Sequence, residues 1–161
     1  MNAVRKANDH GCKWDPMLRQ LLVGTVVSVY NIAIHALVMA TVVQISSQIV
    51  GTQDTARHSV RLTTLMIATV SIATVPALMA AHFEEVMVWS LAYAIVGAAP
   101  AGADPVYFAF VNYTTLGYGD IIPVERWRLL GPITAMNGVL MFGWLTAVIF
   151  EVLRRTARRG D

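Results

Sequence analysis

The run Thr115-Leu116-Gly117-Tyr118-Gly119-Asp120 carries the most specific chemistry in this sequence. Glycine reaches backbone conformations closed to other residues. Glycines at alternate positions, 117 and 119, let consecutive carbonyls point the same way, which neither helix nor strand permits. The backbone then becomes a ladder of oxygens able to replace the water shell of a bare monovalent cation. The Thr115 hydroxyl adds a further oxygen at the inner end. One chain supplies one rail, so a pore needs symmetry, most simply a ring of four copies. Irregular backbone at membrane depth persists only where it lines such a cavity. Gly-Tyr-Gly alone could be any turn; the specificity lies in the full hexad between a short capped helix and a spanning one.

Elements able to position that run are legible on both sides. Asp104-Pro105 is a helix cap followed by a first-turn proline, so a short helix is predicted over about 105–115. Its C-terminal end is the negative end of a helix dipole and favours cations beside it. Charged residues are absent from 20–53, 62–83, 86–103 and 129–150. A bilayer core is about 30 Å thick, so a spanning helix needs about 20 apolar residues. The first window supports a retained helix over about 16–48, with Asp15-Pro16 as its expected cap, and the last supports one over about 127–153. Arg154, Arg155, Arg158 and Arg159 follow it, which by the positive-inside rule puts the C-terminus in the cytoplasm.

The middle windows are separated only by Glu84 and Glu85. Two spans would need a turn near His82–Glu85, where the sequence offers no turn former. One long helix over about 60–99, bent at Pro76, avoids that turn. The N-terminal basic residues Arg5, Lys6, Lys13 and Arg19 favour an even number of spans, whereas Arg57 and Arg61 in the 51–61 loop favour three. The expected fold is an all-α membrane protein with three, alternatively four, transmembrane helices. A re-entrant helix and loop complete it. Residues 1–50 form an N-terminal segment with the first helix, and 51–161 form the pore domain.

This arrangement resembles the potassium-channel pore domain: outer helix, pore helix, TxGYGD filter and inner helix. The resemblance covers about residues 80–153. It implies K+ at Thr115, Leu116, Gly117 and Tyr118, with Gly119 closing the filter and Asp120 as the acid of its outer mouth. Leu116 stands where Val or Ile is usual, and only its carbonyl would face the ion. Tyr107 and Phe108 occupy two positions where many such channels carry Trp; Phe108 and Val111 cannot hydrogen-bond behind the filter. Gly138 looks like the gating hinge and Gly143 the second small position, with Val139, Phe142 and Thr146 lining the cavity. The resemblance further implies a homotetramer in a cell membrane, a prokaryotic inner membrane, that passes K+ and needs no cofactor. A weakly selective cation channel and a non-conducting subunit that keeps the pore fold stand as alternatives.

Other signals are weaker. His82, Glu85, Trp89 and Tyr93 share one face of the long helix. His82, Glu84, Glu85 and, in the first helix, His35 fall near mid-membrane, where ionisable groups are costly. They form a candidate pH-responsive cluster or a packing contact. Asn137 either faces the cavity or hydrogen-bonds a neighbouring helix. Glu151 is placed to pair with Arg154 and Arg155, and the terminal arginines to touch anionic lipid headgroups.

Composition agrees with a bilayer setting. The 161 residues are 56% hydrophobic and 14% charged, with a net charge of +2; soluble domains average roughly a quarter charged. Most soluble enzymes are thereby excluded, and no basic face suits a nucleic-acid partner. Cys12 is the sole cysteine, so no internal disulfide can form, and four histidines without a second cysteine argue against a structural zinc site. No catalytic triad, phosphate loop or metal-ligand spacing is visible. No helix repeats Arg or Lys every third residue as a voltage sensor would, and the eight or so residues after the inner helix leave no room for a regulatory domain.

Overall fold

The structure is a computed structural model that describes the backbone of residues 14–51 and 60–158, with side chains chiefly of 16–45 and 74–151. The regular elements among these residues are helices: α1 (Trp14–Gly51), α2 (Val60–Val96), α3 (Pro105–Tyr113) and α4 (Leu130–Arg158), with one 3-10 turn at Glu125–Trp127 before α4. Two stretches, Pro16–Ile45 and Glu125–Glu151, are long and apolar enough to cross a bilayer. Their apolar side chains largely face outward. Leu18, Leu22, Val26, Val29 and Leu37 on α1 are exposed, as are Met136, Val139, Leu140 and Phe150 on α4. Such a surface suits lipid tails and not water. The chain is an all-α membrane protein.

The middle windows form one helix. α2 runs unbroken through His82–Glu85, so the alternative with four spans, which required a turn there, is corrected. Pro76 lies inside α2 without ending it. The helix stops at Val96 rather than near 99. Gly97 takes a left-handed φ of 64°, and the Ala98 amide donates back to the Tyr93 carbonyl at 3.0 Å. That closure satisfies a terminal carbonyl and needs a residue without a Cβ. Other boundaries move by a few residues. α1 starts at Trp14, so Asp15 is inside the first turn and Pro16 is tolerated there. α3 ends at Tyr113, not 115, and α4 starts at Leu130 and reaches Arg158. The basic residues before Trp14 and the Arg57 region lie outside the described residues.

The chain packs as two units. One contains the described residues up to Tyr30 and Val86–Val139; the other contains those of Asn31–Glu85 and from Leu140 onward. In the first unit, Trp89, Tyr93, Phe108, Tyr113 and Leu130 are fully buried. Tyr93 lies between Trp89 and Phe108, with ring centroids 5.9 and 4.8 Å away. Its hydroxyl donates to Thr134 Oγ1 at 2.6 Å, and Thr134 donates to the Leu130 carbonyl at 2.8 Å. Trp89 Nε1 donates to Asn137 Oδ1 at 3.0 Å. Of the two roles considered for Asn137, the structure shows the interhelical one. α1 joins the same unit at the start of α4: the Gln20 side-chain oxygen accepts the Leu129 amide at 2.7 Å, capping a donor that the helix leaves unpaired. In the second unit, Met39, Leu78 and Val148 form a buried apolar cluster, flanked by Val43, Leu145 and Ile149. Arg154 pairs with Glu151 at 2.6 Å on the surface.

Gly138 explains how α4 approaches the end of α3. A Cβ at this position would lie 2.0 Å from the Tyr113 carbonyl oxygen. Gly143, by contrast, has nothing within 4 Å. Replacing Gly138 by Ala is expected to destabilise the fold by about 1–3 kcal/mol through overpacking, whereas Gly143→Ala leaves it unchanged. Thermal unfolding of the two variants in detergent checks this.

Candidate functional site

The site begins with a well-formed helix start. Asp104 caps α3 by accepting the Val106 amide at 2.9 Å, and Pro105 occupies the first helical position. A cap of this kind is worth about 1 kcal/mol. Phe108, Ala109, Val111 and Tyr113 are the buried residues of α3, so the short helix is held by its core face. Its far end delivers the chain into Thr114–Asp120, every residue of which is exposed.

The loop is not a random turn. Thr115, Gly117 and Gly119 have φ of 59°, 54° and 81°, and Leu116 and Tyr118 between them do not share that sign. Handedness therefore alternates residue by residue over the segment singled out in the sequence. Thr115 adopts this conformation without glycine's freedom and is the strained member. The last carbonyls of α3 hold the loop. Asn112 accepts the Thr115 amide at 3.1 Å, and Val111 accepts both the Leu116 amide at 3.0 Å and the Gly117 amide at 3.4 Å. Thr114 returns its amide and its hydroxyl to Phe110, at 3.0 and 2.7 Å.

These bonds fix where two carbonyls go. In a trans peptide the carbonyl is opposed to the N–H of the next residue, and no peptide bond described here is cis. With the Leu116 and Gly117 amides both turned to Val111, the Thr115 and Leu116 carbonyls turn away from α3, to one side. Their oxygens are free of the helix and able to meet a cation.

A second bond ties the outer end of the loop to α3. The Tyr107 hydroxyl donates to Asp120 Oδ2 at 2.8 Å across thirteen residues of sequence. Phe108 and Val111, which cannot hydrogen-bond to the loop, are both buried apolar residues, and the brace comes from Tyr107, one position before Phe108. A phenol thirteen residues before a carboxylate was the available signal. The bond to Asp120 is the main cause of a Tyr107 pKa raised above the usual tyrosine value.

The expected cavity positions divide. Gly138 is buried against α3, as described, and Val139, its neighbour, is exposed. In the second unit Phe142 and Thr146 are exposed on α4, and the Thr146 hydroxyl donates back to the Phe142 carbonyl at 3.0 Å. The ionisable residues of the long helix behave differently from one another. His35, His82 and Glu85 meet in the second unit, all buried. His35 Nδ1 lies 2.5 Å from Glu85 Oε1, and His82 Nδ1 lies 3.2 Å from Oε2. Glu84 does not belong to this group. No metal-ligand spacing is visible in the sequence; in the structure one nitrogen or oxygen atom of each of these three side chains lies within 4.8 Å of the other two.

Residues 81–155 match a protein family described as "Ion channel". The matched stretch takes in the second half of α2, α3, the 114–120 loop and nearly all of α4. No curated protein and no solved structure matches the chain.

Tyr107→Phe is expected to loosen the outer end of the loop, raising amide hydrogen exchange over 117–121 while leaving α3 protected. The same bond sets a pH limit. A tyrosine pKa raised by folding stabilises the fold fully below the ordinary tyrosine value, and that contribution disappears as pH rises through the raised one. Exchange protection at 117–121 should therefore hold from neutral pH into the alkaline range and fail only above the ordinary tyrosine titration; Tyr107→Phe removes that step.

Proposed function

We propose that residues 81–155, which match the ion-channel family, form a pore domain of the potassium-channel type, and that the chain assembles as a homotetramer and conducts K+ passively down its electrochemical gradient. The observation that carries this reading is the alternating handedness at Thr115, Gly117 and Gly119. With the Leu116 and Gly117 amides held by α3, successive carbonyl oxygens are free to form one rail of a coordination ladder. Four rails around an axis would surround a dehydrated ion. The exposure of Leu116 and Tyr118, large apolar side chains on a short loop, supports a surface completed by other copies of the chain.

In this reading the ion sites are the carbonyls of Thr115, Leu116, Gly117 and Tyr118, with the Thr115 hydroxyl at the inner end and Asp120, braced by Tyr107, at the mouth. α3 directs the negative end of its dipole toward the cavity. Val139, Phe142 and Thr146 line the inner path, and Gly138 fits α4 against the filter's supporting helix. The arginine-rich end of α4 faces the cytoplasm and anionic headgroups.

Purified protein in liposomes should pass K+ and exclude Na+. Flux of both ions would identify a weakly selective cation channel, and flux of neither a non-conducting subunit. Gly117→Ala and Gly119→Ala, which place a Cβ at left-handed φ, are expected to abolish the flux or its selectivity while the oligomer remains intact on size exclusion. Unaltered selective flux in both variants would remove the proposed filter.

A further inference from the structure

Two imidazoles and one carboxylate, drawn from two helices, face one another inside the second unit. His82 and Glu85 are three residues apart on α2 and so share a face; His35 comes from α1, fifty residues away in sequence. His35 and Glu85 are completely buried, and His82 is nearly so. Both Nδ1 atoms are directed at Glu85, one at each carboxylate oxygen, at 2.5 and 3.2 Å. One potential donor atom from each residue lies within 4.8 Å of the other two.

A buried carboxylate is expensive unless a positive charge offsets it. A proton on either histidine would supply one, and so would a metal ion. The donor set discriminates among ions. Imidazole nitrogen with carboxylate oxygen is unsuited to K+, Mg2+ or Ca2+, which prefer oxygen alone, and suits the zinc class of divalent transition metals. Ligands about 2.0–2.2 Å from a tetrahedral ion stand about 3.3 Å from each other. The close His35–Glu85 pair would need to open by less than one ångström, and His82 Nδ1 stands 3.2 Å from the second carboxylate oxygen. The widest donor pair, no more than 4.8 Å apart, would need to close by up to about 1.5 Å. His35 Nε2 is buried without a hydrogen-bond partner. No bond on that side fixes the tautomer, so Nδ1 can surrender its proton to Nε2 and present a lone pair. The three protein ligands leave one coordination position open.

We propose that His35, His82 and Glu85 form a binding site for one divalent transition-metal ion of the zinc class per chain. The site shares no residue with the 114–120 loop. It also reaches α4: the His82 ring lies 4.6 Å from that of Phe142, and the His35 ring 5.6 Å from that of Trp144. An ion that orders the two imidazoles would thereby order their contacts with the segment of α4 that follows Val139.

The test uses tag-free, full-length protein in detergent, stripped of metal and then titrated with Zn2+. Metal analysis after desalting is expected to find one zinc per chain. Co2+ in its place should give the visible absorption of a four-coordinate nitrogen–oxygen site, and X-ray absorption on the zinc-loaded protein should show two imidazoles. His35→Gln, His82→Gln and Glu85→Gln should each lose the stoichiometric ion and the Co2+ spectrum. Zinc should change Trp fluorescence in the wild type and not in Trp144→Phe, which keeps all three ligands. Wild-type protein that retains no zinc overturns the proposal, whatever the variants do. So does a His35→Gln/His82→Gln double variant that still binds a full equivalent. If the variants fail to fold, the wild-type stoichiometry and the imidazole count decide alone. Flux through liposomes, measured separately, does not enter the outcome.

Discussion

The structure depends on the capture of loop amides by the last turn of α3. An irregular backbone in a non-aqueous setting must find partners for its N–H groups, because each one left unpaired costs as much as a lost hydrogen bond or more. The carbonyls at the C-terminus of a helix have the complementary shortage, since no further helical amide reaches them. Phe110, Val111 and Asn112 offer those carbonyls, and Thr114 to Gly117 provide the amides. Two deficits thus meet, and the loop is held by its donors. The Thr115 and Leu116 carbonyls are left turned away from α3. The alternating φ at 115, 117 and 119 is the backbone's way of sustaining that division, and two of the three positions carry the residue that tolerates it.

Positioning α3 then becomes the task of its neighbours. α2 offers a face of large aromatic residues, and the polar atoms of Tyr93 and Trp89 buried there are both hydrogen-bonded. The Tyr93 hydroxyl is passed through Thr134 to a helix carbonyl, and Trp89 reaches Asn137. In a bilayer the apolar parts of such contacts gain little over lipid, so packing fit and interhelical hydrogen bonds decide which helices associate. Small residues set the distances. Gly138 admits the Tyr113 carbonyl, and Gly24 on α1 accepts Ile133, whose side-chain atoms would lie 2.8 Å from a Cβ there. Gln20 adds a polar tie at the head of α4. The part of α1 up to Tyr30 is therefore a structural part of this unit, bonded to the start of the helix that follows the loop.

The second unit solves a different problem. It carries Glu85 and two histidines in its interior, where a charge without a counterpart would cost several kcal/mol. Their mutual bonds satisfy the carboxylate on both oxygens, and the aromatic rings of Phe142 and Trp144 cover the imidazoles. An apolar packing of equal volume would serve stability as well or better. Buried polar groups in such a place tie the helices together in one register, and they are also the donors that a metal ion of matching preference would use.

Much of this was legible in residue order because it is decided locally. Helix lengths follow from charge-free windows, the start of α3 from Asp104-Pro105, the loop's unusual backbone from glycines two apart, and the His82–Glu85–Trp89–Tyr93 face from helical periodicity; all four of those side chains are buried. Local chemistry also missed small things by a turn or less: Gly97 ended α2 before Pro100 could, and the amides after Tyr113 folded back instead of continuing α3. Residue order determined which segments are helical, which face bilayer hydrocarbon and where the backbone must leave helical geometry, since each depends on neighbours within a few positions. Tertiary structure alone decided that Tyr107 would brace Asp120, that Gly138 would receive a carbonyl from α3, and that His35 would meet Glu85. Those pairings join groups 13, 25 and 50 residues apart, and at such separations it is the packing of whole helices, not the chain's local preferences, that selects partners.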